Sequence, residues 1–159
     1  MGIPILAPFT TGKPVKTRFK RQFGAFDITS FDLPHNGVYN SGFLIKVEGQ
    51  TILYMTDFEY CPYTFKKQNI NHMLIECNYQ NEYVDNSAEN KNHVLRGHAE
   101  LQTTIGIIKD NIDSLKTVIL CHLSRENANP IEMIEEVKKV VKSDVYVDYA
   151  RRGFDVDMP

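Results

Sequence analysis

The hydrophobic period changes near the middle of the chain, and this change constrains the fold more than any other feature. In the first half, apolar residues alternate or form β-branched runs, as in 25–31 and 43–47, which is typical of strands. In the second half, Leu101, Ile105 and Ile108 recur at helical spacing. Strands that come first and then alternate with helices predict an α/β (α+β) fold, a mixed sheet with helices packed on one face.

The individual elements follow from the same patterns. Segments 43–47 and 51–56 flank Glu48-Gly49-Gln50, which predicts a hairpin with a short turn. Segment 78–92 is polar and aperiodic, which indicates a loop. The other predicted strands are 3–8, 25–31, 72–77, 117–121, 145–147 and 154–156. The predicted helices are 99–111 and one that begins at Asn129-Pro130, with Ile131, Ile134, Val137, Val140 and Val141 on one face.

Length and composition indicate an ordinary globular chain. Its 159 residues predict a single domain, 1–159, large enough to bury a core without disulfides. With 18 basic and 20 acidic residues the formal charge is -2, so there is no global reason to expect nucleic acid as a partner. The basic stretch 13–21 predicts a solvated loop or strand edge, and a phosphate-binding patch is the alternative.

The cysteines and the apolar runs indicate the cellular location to expect for the chain. Cys61, Cys77 and Cys121 are odd in number and form no C-x-x-C pair, which argues against a disulfide framework or a cysteine zinc site. A reduced, cytoplasmic location is therefore expected. No stretch approaches the roughly 18 apolar residues of a membrane helix, so no membrane partner is expected.

Three candidate ligands stand directly after predicted strands. His35 follows Leu33-Pro34, Asp57 follows the strand 51–56, and His122 follows the strand 117–121. Imidazole and carboxylate together suit zinc, iron or manganese. Taken singly, each residue is more typical of a surface hydrogen bond or a turn. The residues by themselves leave a metal site and a set of ordinary strand ends equally open.

Four short motifs resemble, in order, the later motifs of the metallo-β-lactamase fold. Three of them, Leu33-Pro34-His35, Tyr54-Met55-Thr56-Asp57 and Leu120-Cys121-His122-Leu123-Ser124, resemble that family's metal motifs. Arg96-Gly97-His98 is similar to the glycine–histidine element of its ribonuclease Z-like, phosphodiesterase-type subgroup. The resemblance extends over nearly the whole chain, from residue 3 to residue 156.

The resemblance implies a role for each matching residue. His35 would bind a first metal ion, Asp57 would bridge two ions, and His122 would bind the second. His98 would be catalytic without being a ligand, positioning the scissile group or passing a proton. The implied cofactor is Zn²⁺, with Mn²⁺ or Fe as alternatives. The implied activity is metal-dependent hydrolysis, with phosphodiesters or nucleic acids favoured as substrates.

The family's H-x-H-x-D-H motif is absent from the sequence. The resemblance therefore predicts that 1–159 is the C-terminal portion of an αββα sandwich, N-terminally truncated, with an incomplete metal site. Apolar surface left uncovered would favour a homo-oligomer or a complementing N-terminal half as partner. The alternative function is a non-catalytic relic of a prophage or split gene, or an interaction module, that retains the fold.

The remaining polar candidates receive no family role. His72 is expected to be structural and His93 to be solvated. Glu76 and Asn78, at the end of the strand 72–77, are expected to be ordinary strand-end polar residues, and support of the site is the alternative. A small α/β domain without any metal history is the third interpretation, and His35, Asp57 and His122 lying far apart would favour it.

Overall fold

A computed structural model describes residues 9–10, 13–14, 19–85, 95–151 and 153. The predicted strands 3–8 and 154–156 and the residue His93 lie outside this range. The strands are β1 (Phe9–Thr10), β2 (Lys13–Pro14), β3 (Lys20–Phe23), β4 (Phe26–His35), β5 (Val38–Val47), β6 (Gln50–Met55), β7 (His72–Glu76), β8 (Thr117–Cys121) and β9 (Tyr146–Tyr149). The α-helices are α1 (Leu101–Lys109) and α2 (Pro130–Lys138), and short 3₁₀ turns occupy Asn81–Tyr83 and Ile112–Ser114.

Strands β3 to β9 form one seven-stranded sheet in sequence order. β3 to β6 pair antiparallel and β6 to β9 pair parallel, so the sheet is mixed, as predicted. The predicted hairpin joins β5 to β6 through Glu48 and Gly49, whose φ angles are 49° and 77°. Two consecutive positive φ angles match the twist that a tight hairpin turn requires.

The hydrophobic core lies on one face of the sheet. Register places Leu53, Met73 and Val118 side by side across β6, β7 and β8, and all three side chains are fully buried. Successive parallel strands that step in one direction through right-handed crossovers carry their helices on the same face. α1 adds Ile105 and Ile108 to this core, and α2 adds Met133 and Val137.

One residue of the second helix does not lie on the face predicted for it. Ile131, predicted to face the core, is 61% exposed, whereas Met133 and Val137 are buried. Met133 and Val137 are four residues apart and share a face, while Ile131 precedes Met133 by two residues and so lies on the far side of the helix. Asn129 caps the helix start, because its side chain accepts from the amide of Ile131.

The predicted fold class is confirmed, and the topology brings several strand ends to one edge. β4, β6, β7 and β8 run in the same direction, because β4 and β6 both pair antiparallel with β5 and β6 to β8 are parallel. Their carboxyl ends therefore meet at the same edge of the sheet, where sites are commonly built. Neither described helix is long and apolar enough to cross a membrane.

Candidate metal centre

The structure brings the predicted site residues together at this edge. His35 ends β4, while Asp57 and His122 follow β6 and β8. The Nδ1 of His122 lies 3.3 Å from Oδ1 of Asp57. Ligand atoms of His35, Asp57 and His98 all lie within 4.8 Å of one another. His35, Asp57 and His122 therefore do not lie far apart, whereas lying far apart would favour a small α/β domain without any metal history.

His98 occupies the middle of the cluster. Its ring centroid is 5.2 Å from that of His35 and 5.0 Å from that of His122. It lies just before α1, and only 12% of its side chain is exposed. Asp57 and His122 are more open, with 41% and 43% of their side chains exposed. The cluster is thus closed on the protein side and accessible from solvent on the other.

Glu76 is the central residue of the cluster, and its supporting role is the alternative that the sequence did not favour. Its side chain is fully buried, and its Oε1 contacts Nδ1 of His98 at 2.7 Å and Nδ1 of His122 at 2.8 Å. Its Oε2 accepts a hydrogen bond of 2.8 Å from the backbone amide of Phe58. The expectation of an ordinary strand-end residue is therefore wrong for Glu76. The available signal was a carboxylate ending an otherwise apolar, buried strand, because such a carboxylate needs hydrogen-bond donors.

The surroundings of Glu76 determine its charge. Burial alone would raise the pKa of its carboxyl, but hydrogen bonds from His122, His98 and the amide of Phe58 outweigh burial and hold that pKa below its usual value. The hydrogen bond to Glu76 likewise raises the pKa of His122, against the opposing effect of burial. Glu76 is therefore an ionised carboxylate near neutral pH, and it acts only as an acceptor.

These contacts determine which ring nitrogen each histidine offers. His98 and His122 both donate Nδ1–H to Glu76, because an ionised carboxylate can only accept. Nδ1 of His35 lies 2.5 Å from the carbonyl oxygen of Gly97, which also can only accept. In the neutral form, the lone pair of each ring is then on Nε2. A histidine held in this way by a carboxylate or carbonyl is the usual arrangement of metal-binding imidazoles.

Two residues of the cluster have left-handed backbone conformations that neighbouring side chains support. Asp57 and His122 both have φ of 55°, a region that few non-glycine residues occupy. Asn40 donates through Nδ2 to the carbonyl oxygens of Thr56 and Asp57, at 2.5 and 2.7 Å. Asn78 donates through Nδ2 to the carbonyl oxygen of His122 at 2.6 Å. Asn78 thus supports the site, contrary to the expectation for it, and uncommon backbone angles held in this way are typical of functional sites.

The chemistry of the donor set fits a transition metal. His35, Asp57 and His98 offer two imidazoles and a carboxylate, the ligand types of zinc, iron and manganese sites. A second group consists of Glu76, His98 and His122. In that group the short contacts are hydrogen bonds from two Nδ1–H groups to one oxygen, so we interpret it as support for the histidines.

Among the described residues, His72 is the histidine that lies away from the cluster. It is the first residue of β7, whereas Glu76 is the last, and it is 1% exposed. Burial, together with the charge of Lys116, lowers the pKa of His72. A buried, neutral histidine at the opposite end of the strand agrees with the structural role expected for it.

A cavity of about 320 Å³ is lined in part by Pro34, the residue before His35, but by none of the side chains of the cluster. Most of the residues around it are apolar, and Asp32 contributes a carboxylate. The other residues that line it are Leu33, Pro34, Gly37, Val38, Pro62 and Tyr63.

Comparison with known proteins identifies the fold. No protein-family model matches the sequence, and no curated protein sequence matches it either. Among solved structures, the metallo-β-lactamase fold protein YhfI from Bacillus subtilis matches with a TM-score of 0.65 and 21% identity, over 86% of this chain and 50% of that one. Zn²⁺-bound PqqB from Methylobacterium extorquens matches with a TM-score of 0.58 and 13% identity, over 88% and 53%. A diphosphatase from the PhnP family matches with a TM-score of 0.56 and 12% identity, over 88% and 46%.

These similarities establish the fold. The chain has the metallo-β-lactamase fold over most of its described residues, and it spans about half the length of these three structures. The fold predicted from the four motifs is therefore confirmed. Since each identity is low, the similarities carry no residue roles across, and the roles depend on the geometry of this chain.

Proposed function

We propose that the chain is part of a metal-dependent hydrolase whose reaction centre is the cluster at the carboxyl edge of β4, β6 and β8. The single observation that carries this proposal is the convergence of His35, Asp57, His98 and His122. Buried Glu76 and the carbonyl of Gly97 orient the three rings. Such preorganisation of imidazoles next to a carboxylate is expected where metal ions are held for catalysis.

The proposed ligand roles follow the positions of the side chains. His35 and Asp57 would hold one ion, and Asp57, which lies within 4.8 Å of His35 and 3.3 Å from His122, would share its carboxylate with a second ion at His122. Bound metal ions supply an activated water at neutral pH and stabilise negative charge on the substrate. Zn²⁺ is the proposed metal, and Mn²⁺ or Fe also suits this donor set.

His98 is proposed to position the substrate or to move a proton when both metal positions are filled. Its Nδ1–H is held by ionised Glu76, so the proton-accepting atom of the neutral ring is Nε2. That atom would take a proton from an attacking water and deliver it to a leaving group.

Phosphodiesters are the proposed substrate class, with nucleic acids included. This follows from the similarity of Arg96-Gly97-His98 and His122-Leu123-Ser124 to the phosphodiesterase-type motifs. One structural neighbour is described as a diphosphatase, which concerns that protein and is in line with the proposal. The negative net charge of the chain offers no general attraction for a polyanion, so recognition would depend on the site itself.

The partner proposal follows from the number of ligands. His35, Asp57 and His122 give each of two ions only two protein ligands, fewer than zinc normally has. A complementing polypeptide or a second copy of the chain would supply the others. Phe43, Ile45, Tyr54 and Leu74, on the sheet face opposite the helices, are only partly buried and offer apolar surface for such a partner.

Hydrolysis of bis(p-nitrophenyl) phosphate tests the proposal. The chain, stripped of metal and then supplied with Zn²⁺ or Mn²⁺, should release p-nitrophenol, and a chelator should abolish the reaction. Asp57→Asn should abolish it too, since the amide is a poor metal ligand, whereas the exposed residue Asp113 offers a matched control in Asp113→Asn. Absence of metal-dependent turnover, or equal turnover in both variants, would favour the non-catalytic interaction module instead.

A further inference from the structure

The proposed assignment gives the first metal ion fewer protein ligands than zinc normally has, and the structure contains a residue that can supply another. Assigned as above, the first ion has only His35 and Asp57 from this chain. Zinc sites normally have three or four protein ligands, and a site with two should bind weakly. A third donor that already lies beside these two residues would change the affinity of the chain for its first ion.

His98 is that donor. Ligand atoms of His35, Asp57 and His98 lie within 4.8 Å of one another. Ligands at zinc distances of about 2.0–2.1 Å are separated by about 3.3 Å in a tetrahedron. Each separation would have to shorten by at most about 1.5 Å to reach that geometry, a distance that small side-chain rotations can cover.

His122 is less well placed for the same ion. Within the described part of the chain, its ligand atoms form a close group with Glu76 and His98, and not with His35 and Asp57 together. Its Nδ1 is 2.8 Å from Glu76 and 3.3 Å from Asp57, so it is held at the far side of the cluster. It can serve a second ion, but it does not complete the first site.

We propose that the first metal ion bound by this chain is held by His35, Asp57 and His98. Each imidazole in this site already has the partner that metal-binding histidines need, the carbonyl of Gly97 for His35 and the carboxylate of Glu76 for His98. A fourth position would remain for water, the arrangement of a catalytic zinc site. With a single ion bound, His98 is a ligand and not the group that transfers a proton.

This inference rests on the proposed function, in that it takes the cluster to be a metal centre, and it refines one role within it. Isothermal titration of the metal-free chain with ZnCl₂ measures the affinity for the first ion without any need for activity. His98→Ala and the bulkier His98→Gln should each weaken binding of the first ion at least about ten-fold. The comparison variant His122→Ala, which removes the proposed ligand of the second ion, should leave the affinity for the first ion within about two-fold.

A second readout guards against a folding defect. The Co²⁺-loaded chain should show the intense visible absorption of a low-coordinate site, and His98→Gln should weaken this absorption while the circular dichroism of the metal-free protein stays unchanged. Weaker binding in His122→Ala together with unchanged binding in His98→Ala would overturn the inference but leave the proposed function standing. Equal weakening in both variants would also overturn it, because His122 would then be a ligand of the same ion. Absence of binding by the unmodified chain would overturn both proposals.

Discussion

Replacing Glu76 by glutamine tests the hydrogen-bond network beneath the site. Three N–H groups point at this carboxylate, from His98, His122 and the amide of Phe58. Glutamine has one oxygen and one NH₂ group, so at least one donor must face another donor. The cheaper orientation keeps the oxygen toward the two histidines and leaves the amide of Phe58 without an acceptor.

The expected loss of unfolding free energy follows from the hydrogen bonds that Glu76→Gln weakens or removes. A buried amide left without an acceptor costs about 1–3 kcal/mol. The two hydrogen bonds from His98 and His122 would then go to a neutral oxygen instead of a charged one, which adds about 1 kcal/mol to the loss. We therefore expect Glu76→Gln to lower the free energy of unfolding of the metal-free protein by about 2–4 kcal/mol. For a chain of this size, that corresponds to a fall in Tm of about 4–16 °C.

Urea denaturation in the presence of a chelator, followed by circular dichroism, measures the free energy of unfolding of the unmodified protein and of Glu76→Gln. Glu126→Gln is the matched control, because Glu126 is exposed, and its free energy of unfolding should change by less than about 0.5 kcal/mol. If Glu76→Gln were as stable as this control, Glu76 could not be the ionised acceptor that orients the histidines, and the reasoning from their tautomers would fail.

Further predictions concern the thiols and the core. Burial raises the pKa of Cys77 to about 12 and that of Cys121 to about 11, so iodoacetamide should modify the partly exposed Cys61 first in the native protein. Peptide mass spectrometry checks this, and equal rates at all three thiols would contradict the burial described. Leu120→Ala should cost about 2–5 kcal/mol of unfolding free energy because its side chain is fully buried. The exposed Ile131 should tolerate alanine with a change under about 0.5 kcal/mol, and a similar loss in the two variants would contradict the packing of α2.

The predicted strands and their common edge followed from local signals. The run 117–121 is mostly apolar and rich in β-branched residues, and Glu48-Gly49 marks a tight turn, so both elements were predictable from neighbouring residues. His35, Asp57 and His122 were predicted as a group because a residue that follows a strand lies at the sheet edge. This prediction requires only the direction of each strand, and the family motifs pointed to the same residues.

The role of Glu76 could not be predicted in the same way. Its partners His98 and His122 are 22 and 46 residues away in sequence, and only the completed sheet brings them to one oxygen. The sequence likewise predicted α2, but it wrongly included Ile131 in the face that packs on the core. Ile131 fits the predicted apolar spacing, whereas the buried residues Met133 and Val137 show which side of the helix packs. Local patterns thus predict elements and edges, whereas hydrogen-bond partners and helix rotation depend on tertiary contacts.

The central claim is that the residues at the carboxyl edge of the sheet form a metal centre. The most direct test is the metal content of the chain purified without chelators, measured by inductively coupled plasma mass spectrometry, beside that of Asp57→Asn. The account predicts near-stoichiometric zinc, manganese or iron in the unmodified chain and a clear loss in the variant. A metal-free chain whose Tm does not change on addition of Zn²⁺ would contradict it.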